Sequence, residues 1–381
     1  MPGRARSLLA RTLVLAASLV VAVVAAEGAM RILYERIDFL RPEFVVDDVL
    51  PFRIAPYSAG HDEWGFRNLS LPTRADIVAI GDSTTYGDAA PATGSWPSWL
   101  ARATGLTVYN LGLGGYGPPD YLYLLETLAP RLAPSLVIVG LYFGNDLYDA
   151  VEHVYAREHW RELRRSEPGG VTPVPLPLPP ATPPSSARFT PEGARDWLET
   201  HSMLFRLVEA GPVGQTINRY ADRAGAEGGC ALEGGSPFPT VLTPHDRLRA
   251  LDLSSGKIQE GLQITLGLFA RMRRVADQTG ARLLIVLIPT KESVLADRID
   301  DTRDAACIDV LRQVVSNERQ ARERIIEELR QQGIGYVDVL PALKAGVEAG
   351  TERMYLRSGD SHPNDRGYRV IATTVAPFAK R

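Results

Sequence analysis

The chain has 381 residues, 45% of them hydrophobic, and its 42 basic and 45 acidic side chains leave a formal net charge of -3. This composition supports a globular protein with a sizeable core. The near balance of charge excludes a global electrostatic attraction to nucleic acid or to an anionic surface. The six histidines and two cysteines lack the spacing of metal ligands, so neither a metal nor an organic cofactor is implied.

The first 30 residues predict a membrane-targeting segment. Arg4, Arg6 and Arg11 precede an uncharged run over 12–26 that is rich in Leu, Val and Ala. Two outcomes are open: cleavage after Ala26, as in a signal peptide, or retention as a single-pass anchor. We favour retention because no polar break follows the run. The expected location is the bacterial inner membrane with the domain on the periplasmic side, and the alternative is secretion after cleavage.

Residues 31–63 are expected to form a lead-in segment, and residues 64–381 one domain with an insertion at about 150–250. Strands alternate with helices in this domain, which predicts a flavodoxin-like three-layer α/β/α fold with a central parallel sheet. The strands are predicted at 76–80, 106–109, 136–141, 282–289 and 335–340, and the helices at 96–103, 120–132, 256–279, 304–331 and 366–380.

The insertion begins where the strand–helix rhythm breaks, after Asp146. Its stretch over 168–191 is rich in proline and therefore holds neither a regular helix nor a central strand. A short helical pattern follows at 203–208. Because the insertion far exceeds ordinary loop lengths, we interpret it as a lid or a partner-facing appendage. A disordered linker is the alternative for the proline tract.

Polar residues follow the predicted strands at the edge where sites form in parallel sheets. Ser83 follows the first strand, a glycine-rich stretch over 110–117 follows the second, and Asn145 follows the third. Near the C-terminus, Asp360 and His362 bring a carboxylate and an imidazole together before the last helix. Because a serine hydroxyl needs a base within hydrogen-bond reach to act as a nucleophile, this set predicts serine-based catalysis.

These blocks resemble the SGNH/GDSL hydrolases, a family that includes membrane-anchored bacterial relatives of glycan O-acetylesterases and O-acyltransferases. Ser83, Gly115, Asn145 and His362 stand in the four blocks in the family's order. The resemblance extends from about residue 64 to the C-terminus, without the insertion. It departs at two positions: Phe143 and Gly359 stand where the family usually has glycine and aspartate. Asp360 is therefore the expected orienting carboxylate.

The resemblance implies a Ser83–His362–Asp360 triad and an oxyanion hole made by the backbone N–H groups of Ser83 and Gly115 and the side-chain amide of Asn145. It implies hydrolysis or transfer of an ester-linked acyl group, two reactions that use the same residues. The unrelated α/β-hydrolase elbow, Gly-x-Ser-x-Gly, is excluded because Thr84 and Thr85 follow Ser83.

An exported, tethered enzyme with a loop-built site suits a polymer at the cell envelope. We therefore expect an acetylated glycan as substrate, beside envelope polysaccharide machinery. A lipase- or lysophospholipase-type esterase acting on lipid or small esters is one alternative. A non-catalytic module that keeps the fold and assists polysaccharide export is the competing class. Binding of nucleic acid is not expected.

Several other polar residues are expected to have structural roles only. Asp82 and Asp146 are interpreted as loop-bracing acceptors, and the stretch Trp64–Asn68 as packing, with lining of the site's rim as the alternative. Histidines at four positions are expected on the surface: His153, His159, His201 and His245. Lysine occurs only at Lys257, Lys291, Lys344 and Lys380, and no function is inferred from it. Cys230 and Cys307 could form one disulfide in an exported domain, although their spacing alone does not show it.

Overall fold

The structure, a computed structural model, describes residues 2–164, 191–210, 229–232, 238–302 and 304–380. The proline tract predicted over 168–191 lies outside the described residues except for Pro191, where a helix begins. In chain order the helices and strands are α1 (Pro2–Leu33), β1 (Phe44–Val45), β2 (Arg53–Ile54), β3 (Ile77–Gly81), α2 (Ser83–Tyr86), α3 (Trp96–Thr104), β4 (Val108–Gly112), α4 (Pro118–Thr127), β5 (Leu136–Tyr142), α5 (Asp146–Ala156), α6 (Pro191–His201), α7 (Met203–Ala210), β6 (Cys230–Leu232), β7 (Thr240–Leu242), α8 (Pro244–Leu251), α9 (Gly256–Thr279), β8 (Arg282–Ile288), α10 (Lys291–Val294), α11 (Ala305–Gln331), β9 (Gly335–Asp338), α12 (Leu340–Glu348) and α13 (Asp365–Ala379).

Five strands form the central sheet in the order β4-β3-β5-β8-β9. Every neighbouring pair in it is parallel. In chain order these strands run 2-1-3-4-5 across the sheet, which is the flavodoxin-like order. The predicted fold class is thus confirmed. The strand order reverses between β3 and β5, and a ligand site is expected above the carboxyl ends of these two strands.

The sheet has a hydrophobic core on each face because side chains of a strand point alternately to opposite sides. Val78 and Ile80 of β3 face the core covered by α4, α5, α9 and α11. Ile77 and Ala79 face the core covered by α3, α12 and α13. Because β3 and β5 are buried along their whole length, their sequences are continuous runs of apolar residues.

Several element boundaries differ from the sequence-based prediction, and for two of them the structure gives an identifiable reason. Strand β4 was predicted at 106–109, but Asn110 and Gly112 also lie in it because their backbones pair with Ala79 and Gly81 of β3. Strand β9 ends at Asp338 rather than 340, since a helix that was not predicted, α12, begins at Leu340.

The prediction that His153 lies on the surface is wrong. His153 is only 2% exposed on the buried face of α5, and its Nδ1 lies 2.5 Å from Asp120 Oδ2. Burial acts to lower the pKa of His153, but the carboxylates of Asp120, Asp149 and Glu152 together outweigh it and raise the pKa above 6.5. The other three histidines expected on the surface are exposed: His159, His201 and His245.

The N-terminal helix α1 includes a stretch, Ala10–Leu33, that is long and apolar enough to cross a membrane, with a mean hydropathy of 2.2. Only 6% of this stretch is buried against the rest of the protein. Such a helix serves either as an anchor or as a signal sequence. Farther along the chain, Cys230 and Cys307 form a disulfide that joins β6 to the start of α11.

Candidate active site

Ser83 lies at the switch point of the sheet, in the turn that leads from β3 into α2. The preceding Asp82 caps α2, and its Oδ1 accepts from Thr84 N at 2.9 Å and from Thr84 Oγ1 at 2.6 Å. Asp82 is therefore a loop-bracing acceptor, as the sequence suggested. Because Asp82 is the N-cap and Ser83 the first residue of the helix, capping does not account for the serine. Ser83 itself is partly exposed.

A chain of hydrogen bonds joins Ser83, His362 and Asp360. His362 Nε2 lies 2.9 Å from Ser83 Oγ, and His362 Nδ1 lies 2.7 Å from Asp360 Oδ1. The backbone N–H of His362 also donates to Asp360 Oδ1 at 2.9 Å. The imidazole is 21% exposed, so it is held from one side and open to solvent on the other. This is the arrangement of a nucleophile, a base and an orienting carboxylate.

A second carboxylate, Asp88, approaches the same imidazole. Its Oδ2 lies 4.0 Å from His362 Nε2, the nitrogen that faces Ser83. Burial acts to lower the pKa of His362, but the hydrogen bond to Asp360 and the charge of Asp88 outweigh it and raise the pKa above 6.5. Burial likewise acts to raise the pKa of Asp360, but its bonds with His362 lower it below 3.8. The pair therefore favours a carboxylate beside a readily protonated imidazole.

The glycine-rich block after β4 packs directly against the Ser83 turn. A Cβ at Gly114 would lie 3.5 Å from Ser83 Cβ, and a Cβ at Gly112 would lie 2.5 Å from the backbone nitrogen of Tyr86. Gly115 has a positive φ of 79°, a backbone conformation that favours glycine. The N–H groups of Leu113 and Tyr116 on either side of this turn donate to Gly81 O and Leu113 O.

Asn145 occupies the N-cap position of α5 but makes no side-chain capping bond. Instead its Nδ2 donates to Asp149 Oδ2 at 2.7 Å. A Cβ at Gly117 would lie 2.9 Å from Asp149 Cβ, so the Asn145 loop and the glycine-rich block pack together. One N–H of the Asn145 amide is left for another acceptor, since the NH₂ group has two donors.

The family usually has glycine at the position of Phe143, whereas this chain has glycine at 144. The ring of Tyr142 accounts for the glycine at 144. A Cβ at Gly144 would lie 2.3 Å from Tyr142 Cε1 and Cζ. Only glycine fits against this ring, while Phe143 is fully buried in the core. Asp146 braces the same loop by accepting from Tyr142 N at 2.8 Å and from Tyr121 Oη at 2.7 Å.

The structure thus brings together the blocks singled out in the sequence. Ser83, His362 and Asp360 are bonded directly. The block that contains Gly115 packs against Ser83, and it also packs against Asp149, which accepts from the Asn145 amide. The stretch 64–68 has a packing role, as expected: Phe66 is buried, and Arg67 Nη1 donates to Gly87 O at 2.7 Å.

Sequence reasoning missed Lys291, a buried lysine behind the site. Its side chain is 1% exposed, and its Nζ donates to the carbonyl oxygens of Val241 at 3.0 Å, Ser358 at 2.9 Å and Asp360 at 2.9 Å. Burial lowers its pKa to about 8. Lys291 follows β8 by three residues, so the rule that led to Ser83 and Asn145, polar residues at strand ends, would also have found it. Asp88, five residues after Ser83, was missed as well.

Two family models match the chain, one before and one after residues 209–250. The GDSL-like lipase/acylhydrolase family matches residues 79–208, which contain Ser83, Gly115 and Asn145. The SGNH hydrolase-like domain described for the acetyltransferase AlgX matches residues 251–381, which contain Lys291, Asp360 and His362. No curated protein sequence matches the chain.

Several solved structures are similar to the chain at low sequence identity. One protein assigned to the lipolytic G-D-S-L family, from Desulfitobacterium hafniense, is 13% identical with a TM-score of 0.40, over 80% of this chain and 99% of that one. A catalytic mutant of an acetylxylan esterase from Geobacillus stearothermophilus is 9% identical with a TM-score of 0.39, over 82% of this chain and 96% of that one. A two-domain esterase active on acetylated mannans is 12% identical with a TM-score of 0.37, over 81% of this chain and 49% of that one.

Proposed function

The chain is a member of the SGNH/GDSL hydrolase family, and from this premise we propose that it is a serine-dependent enzyme that removes or transfers an acetyl group on an exported glycan. The observation that carries the proposal is the pair of hydrogen bonds at His362, 2.9 Å to Ser83 Oγ and 2.7 Å to Asp360 Oδ1. A hydroxyl paired with an oriented imidazole is the arrangement that activates serine as a nucleophile.

In the first half of the reaction, Ser83 Oγ attacks the ester carbonyl carbon while its proton moves to His362 Nε2. Asp360 accepts the Nδ1–H bond, which fixes the ring tautomer and stabilises the imidazolium that forms. The backbone N–H groups of Ser83 and Gly115 and the Asn145 amide would donate to the carbonyl oxygen as it becomes negative. His362 then returns the proton to the departing alkoxide, and an acyl-Ser83 remains.

In the second half, an acceptor hydroxyl loses its proton to His362 and attacks the acyl-Ser83 carbonyl. The bond between the acyl carbon and Ser83 Oγ then breaks, and His362 returns the proton to Ser83 Oγ. Water as the acceptor gives hydrolysis, and a sugar hydroxyl gives transfer. Two considerations favour acetyl transfer to a glycan. The part of the chain with Asp360 and His362 matches the domain described for an acetyltransferase. In addition, α1 would place the domain at the cell envelope, where exported polymers pass.

Hydrolysis of p-nitrophenyl acetate by the detergent-solubilised full chain tests the catalytic role of Ser83. We expect Ser83→Ala to lower kcat/KM to the background rate. Ser135→Ala is the matched control, because Ser135 is exposed at the amino end of β5, the opposite edge of the sheet. Equal rates for the wild type and Ser83→Ala would reject the enzyme and favour a non-catalytic module.

Adding a series of oligosaccharide acceptors with free hydroxyl groups to the p-nitrophenyl acetate reaction distinguishes transfer from hydrolysis. We expect mass spectrometry to detect new acetylated sugar with the wild type and none with Ser83→Ala. Release of free acetate alone, at every acceptor concentration, would contradict transfer and leave an esterase. Cleavage of long-chain acyl esters in preference to acetyl esters would instead favour a lipase-type activity.

A further inference from the structure

We propose that α6 and α7, two helices of the insertion, rest on the surface of the lipid bilayer and give the protein a second membrane contact beside α1. The proposal rests on retention of α1 as an anchor, which is itself proposed. It assigns these two helices to lipid rather than to the active site. Four observations carry it: the length of α1, the contact of Glu27 with α7, the exposed apolar residues of α6 and α7, and a cavity beside them whose lining carries both charges.

The length of α1 fixes where the membrane surface must lie. Arg11 and Arg31 are 20 residues apart on one continuous helix. At about 1.5 Å per residue this separation is about 30 Å, the thickness of the hydrocarbon core. Leu13, Val20 and Val24, which lie between the two arginines, are more than 60% exposed in the protein. The outer end of α1, from Glu27 to Arg31, would therefore lie at the outer boundary of the hydrocarbon core.

One turn before Arg31, Glu27 binds the start of α7. Its carboxylate accepts from Ser202 Oγ at 2.9 Å, from Leu204 N at 3.0 Å and from Met203 N at 3.2 Å. Arg31 Nε forms an ion pair with the same carboxylate at 2.9 Å. These bonds hold the first turn of α7 at the level of Glu27. Since α7 has eight residues and is about 12 Å long, every residue of α7 lies within about 12 Å of that level, whatever the orientation of the helix.

The exposed side chains of these helices suit that position. Leu207 and Val208 of α7 are 45% and 52% exposed, and Trp197 of α6 is 44% exposed. The polar residues of α7 point elsewhere: Arg206 pairs with Glu209 at 2.5 Å and donates to Phe39 O at 3.0 Å. Exposed tryptophan and apolar residues next to a spanning helix are typical of the membrane interface, where an indole ring is half in lipid.

A cavity of about 430 Å³ lies between the outer end of α1 and α6, with Trp197 and His201 among its lining residues. Its charged lining is mixed, because Arg31, Arg36 and Arg41 are accompanied by Glu43 and Asp196, and Arg41 pairs with Asp196. Phospholipid headgroups carry a phosphate and, in zwitterionic lipids, an ammonium group, which match a lining of both signs. The position of the cavity at the outer end of α1 therefore favours phospholipid headgroups as the occupant over a second copy of the chain or another protein.

The contact would fix the height of the active site above the membrane. The lead-in after α1 is bonded to the Ser83 region, because Asp38 Oδ1 accepts from Arg67 Nη2 at 3.1 Å and from Ala92 N at 2.6 Å. Arg67 in turn holds Gly87, the neighbour of Asp88. Hydrogen bonds thus link α1, through the lead-in, to the Ser83 region. They would hold the active site at a fixed distance from the bilayer.

Fluorescent labels on introduced cysteines test the proposal in the full chain reconstituted in phospholipid nanodiscs. The two native cysteines are joined in a disulfide, so a single new cysteine takes the label. The test position is Val208→Cys, with Val20→Cys in α1 as the lipid-exposed reference and Ser135→Cys as the water-exposed reference. We expect an NBD label at 208 to emit at shorter wavelength and to be quenched by doxyl lipid, as at 20 but not at 135.

A label at 208 that behaves like the one at 135 would overturn the proposal. A label shielded only at high protein concentration would also overturn it and would indicate a second copy as the occupant. If mass spectrometry shows that residues 1–26 are absent from the mature protein, α1 is not retained as an anchor and the proposal is also overturned. Hydrolysis of p-nitrophenyl acetate by the same labelled proteins tests the enzyme separately, so failure of the lipid contact and failure of the proposed function are distinguishable.

Discussion

Lys291 Nζ lies 2.9 Å from the carbonyl oxygen of Asp360, inside the loop that carries the proposed base and its orienting carboxylate. The same ammonium donates to Ser358 O in that loop and to Val241 O in β7. A buried cation that binds three carbonyl oxygens holds the two segments in one position. We therefore interpret Lys291 as a positioning residue for Asp360 and His362.

Lys291→Met should lower kcat/KM for p-nitrophenyl acetate by roughly 10- to 100-fold, because a displacement of about 1 Å in a catalytic group has an effect of this size. Its free energy of unfolding should fall by about 1–3 kcal/mol, since buried carbonyls lose their donor. Lys257→Met is the matched control, because Lys257 pairs with the buried Glu152 outside the site. It should lose stability with little change in kcat/KM. Equal kinetic effects of the two variants would contradict the positioning role.

The pH profile of kcat/KM should report His362, which must be neutral to accept the Ser83 proton. Its pKa is raised above 6.5 because Asp360 and Asp88 outweigh the effect of burial. Activity should therefore rise with pH through an inflection above 6.5. Asp88→Asn removes one of the charges that raise the pKa, so the inflection should move to lower pH by roughly half a unit, as for an ion pair of about 0.7 kcal/mol.

Asp76→Asn is the control for this shift. Asp76 accepts from Thr107 N at the amino edge of the sheet, away from His362, and its removal should leave the inflection in place. If the inflection of Asp88→Asn coincides with that of the wild type, Asp88 does not contribute to the protonation of His362.

Much of the fold and of the site was predictable because both follow from local patterns at strand ends. The apolar runs of β3 and β5 are buried on both faces, and this made their ends easy to place. Ser83 and Asn145 follow these two strands, on either side of the point where the strand order reverses. The principle that sites form at the carboxyl ends of parallel strands therefore applied without knowledge of the tertiary structure.

The residues that were missed depend on contacts between distant segments. Lys291 acquires its role only because β7 and the loop at 358–360 meet it. The buried His153 is hydrogen-bonded to Asp120, 33 residues earlier in the chain. Neither pairing has a signal in hydrophobic periodicity, since a lone charged residue on a helix is usually solvent-exposed.

Asn145→Ala should lower kcat by roughly 10²- to 10³-fold, the effect of removing one donor to a developing oxyanion. The KM for p-nitrophenyl acetate should change little, because the bond is made mainly in the transition state. A residue that caps a helix away from the site serves as the control for a purely structural loss. Asp304 caps α11 through a bond from Ala306 N at 2.9 Å, so Asp304→Ala should reduce stability by about 1 kcal/mol without reducing kcat. A small loss of kcat in Asn145→Ala, similar to that of Asp304→Ala, would show that the amide does not contact the oxyanion.

The disulfide between Cys230 and Cys307 should act on the same loop as Lys291. It ties β6 to α11, and β6 pairs with β7, where Thr240 Oγ1 donates to Leu356 O at 2.7 Å. The double variant Cys230→Ala, Cys307→Ala should unfold more easily by roughly 2–4 kcal/mol and should also lose part of its kcat/KM. Because both the disulfide and Lys291 hold β7 against the catalytic loop, adding Lys291→Met to this variant should cost less activity than it costs in the wild type. The coupling is obtained from kcat/KM of the wild type, the cysteine double variant, Lys291→Met and the combined variant. If the losses of transition-state free energy are strictly additive, the β6–β7 hairpin and Lys291 support the loop independently.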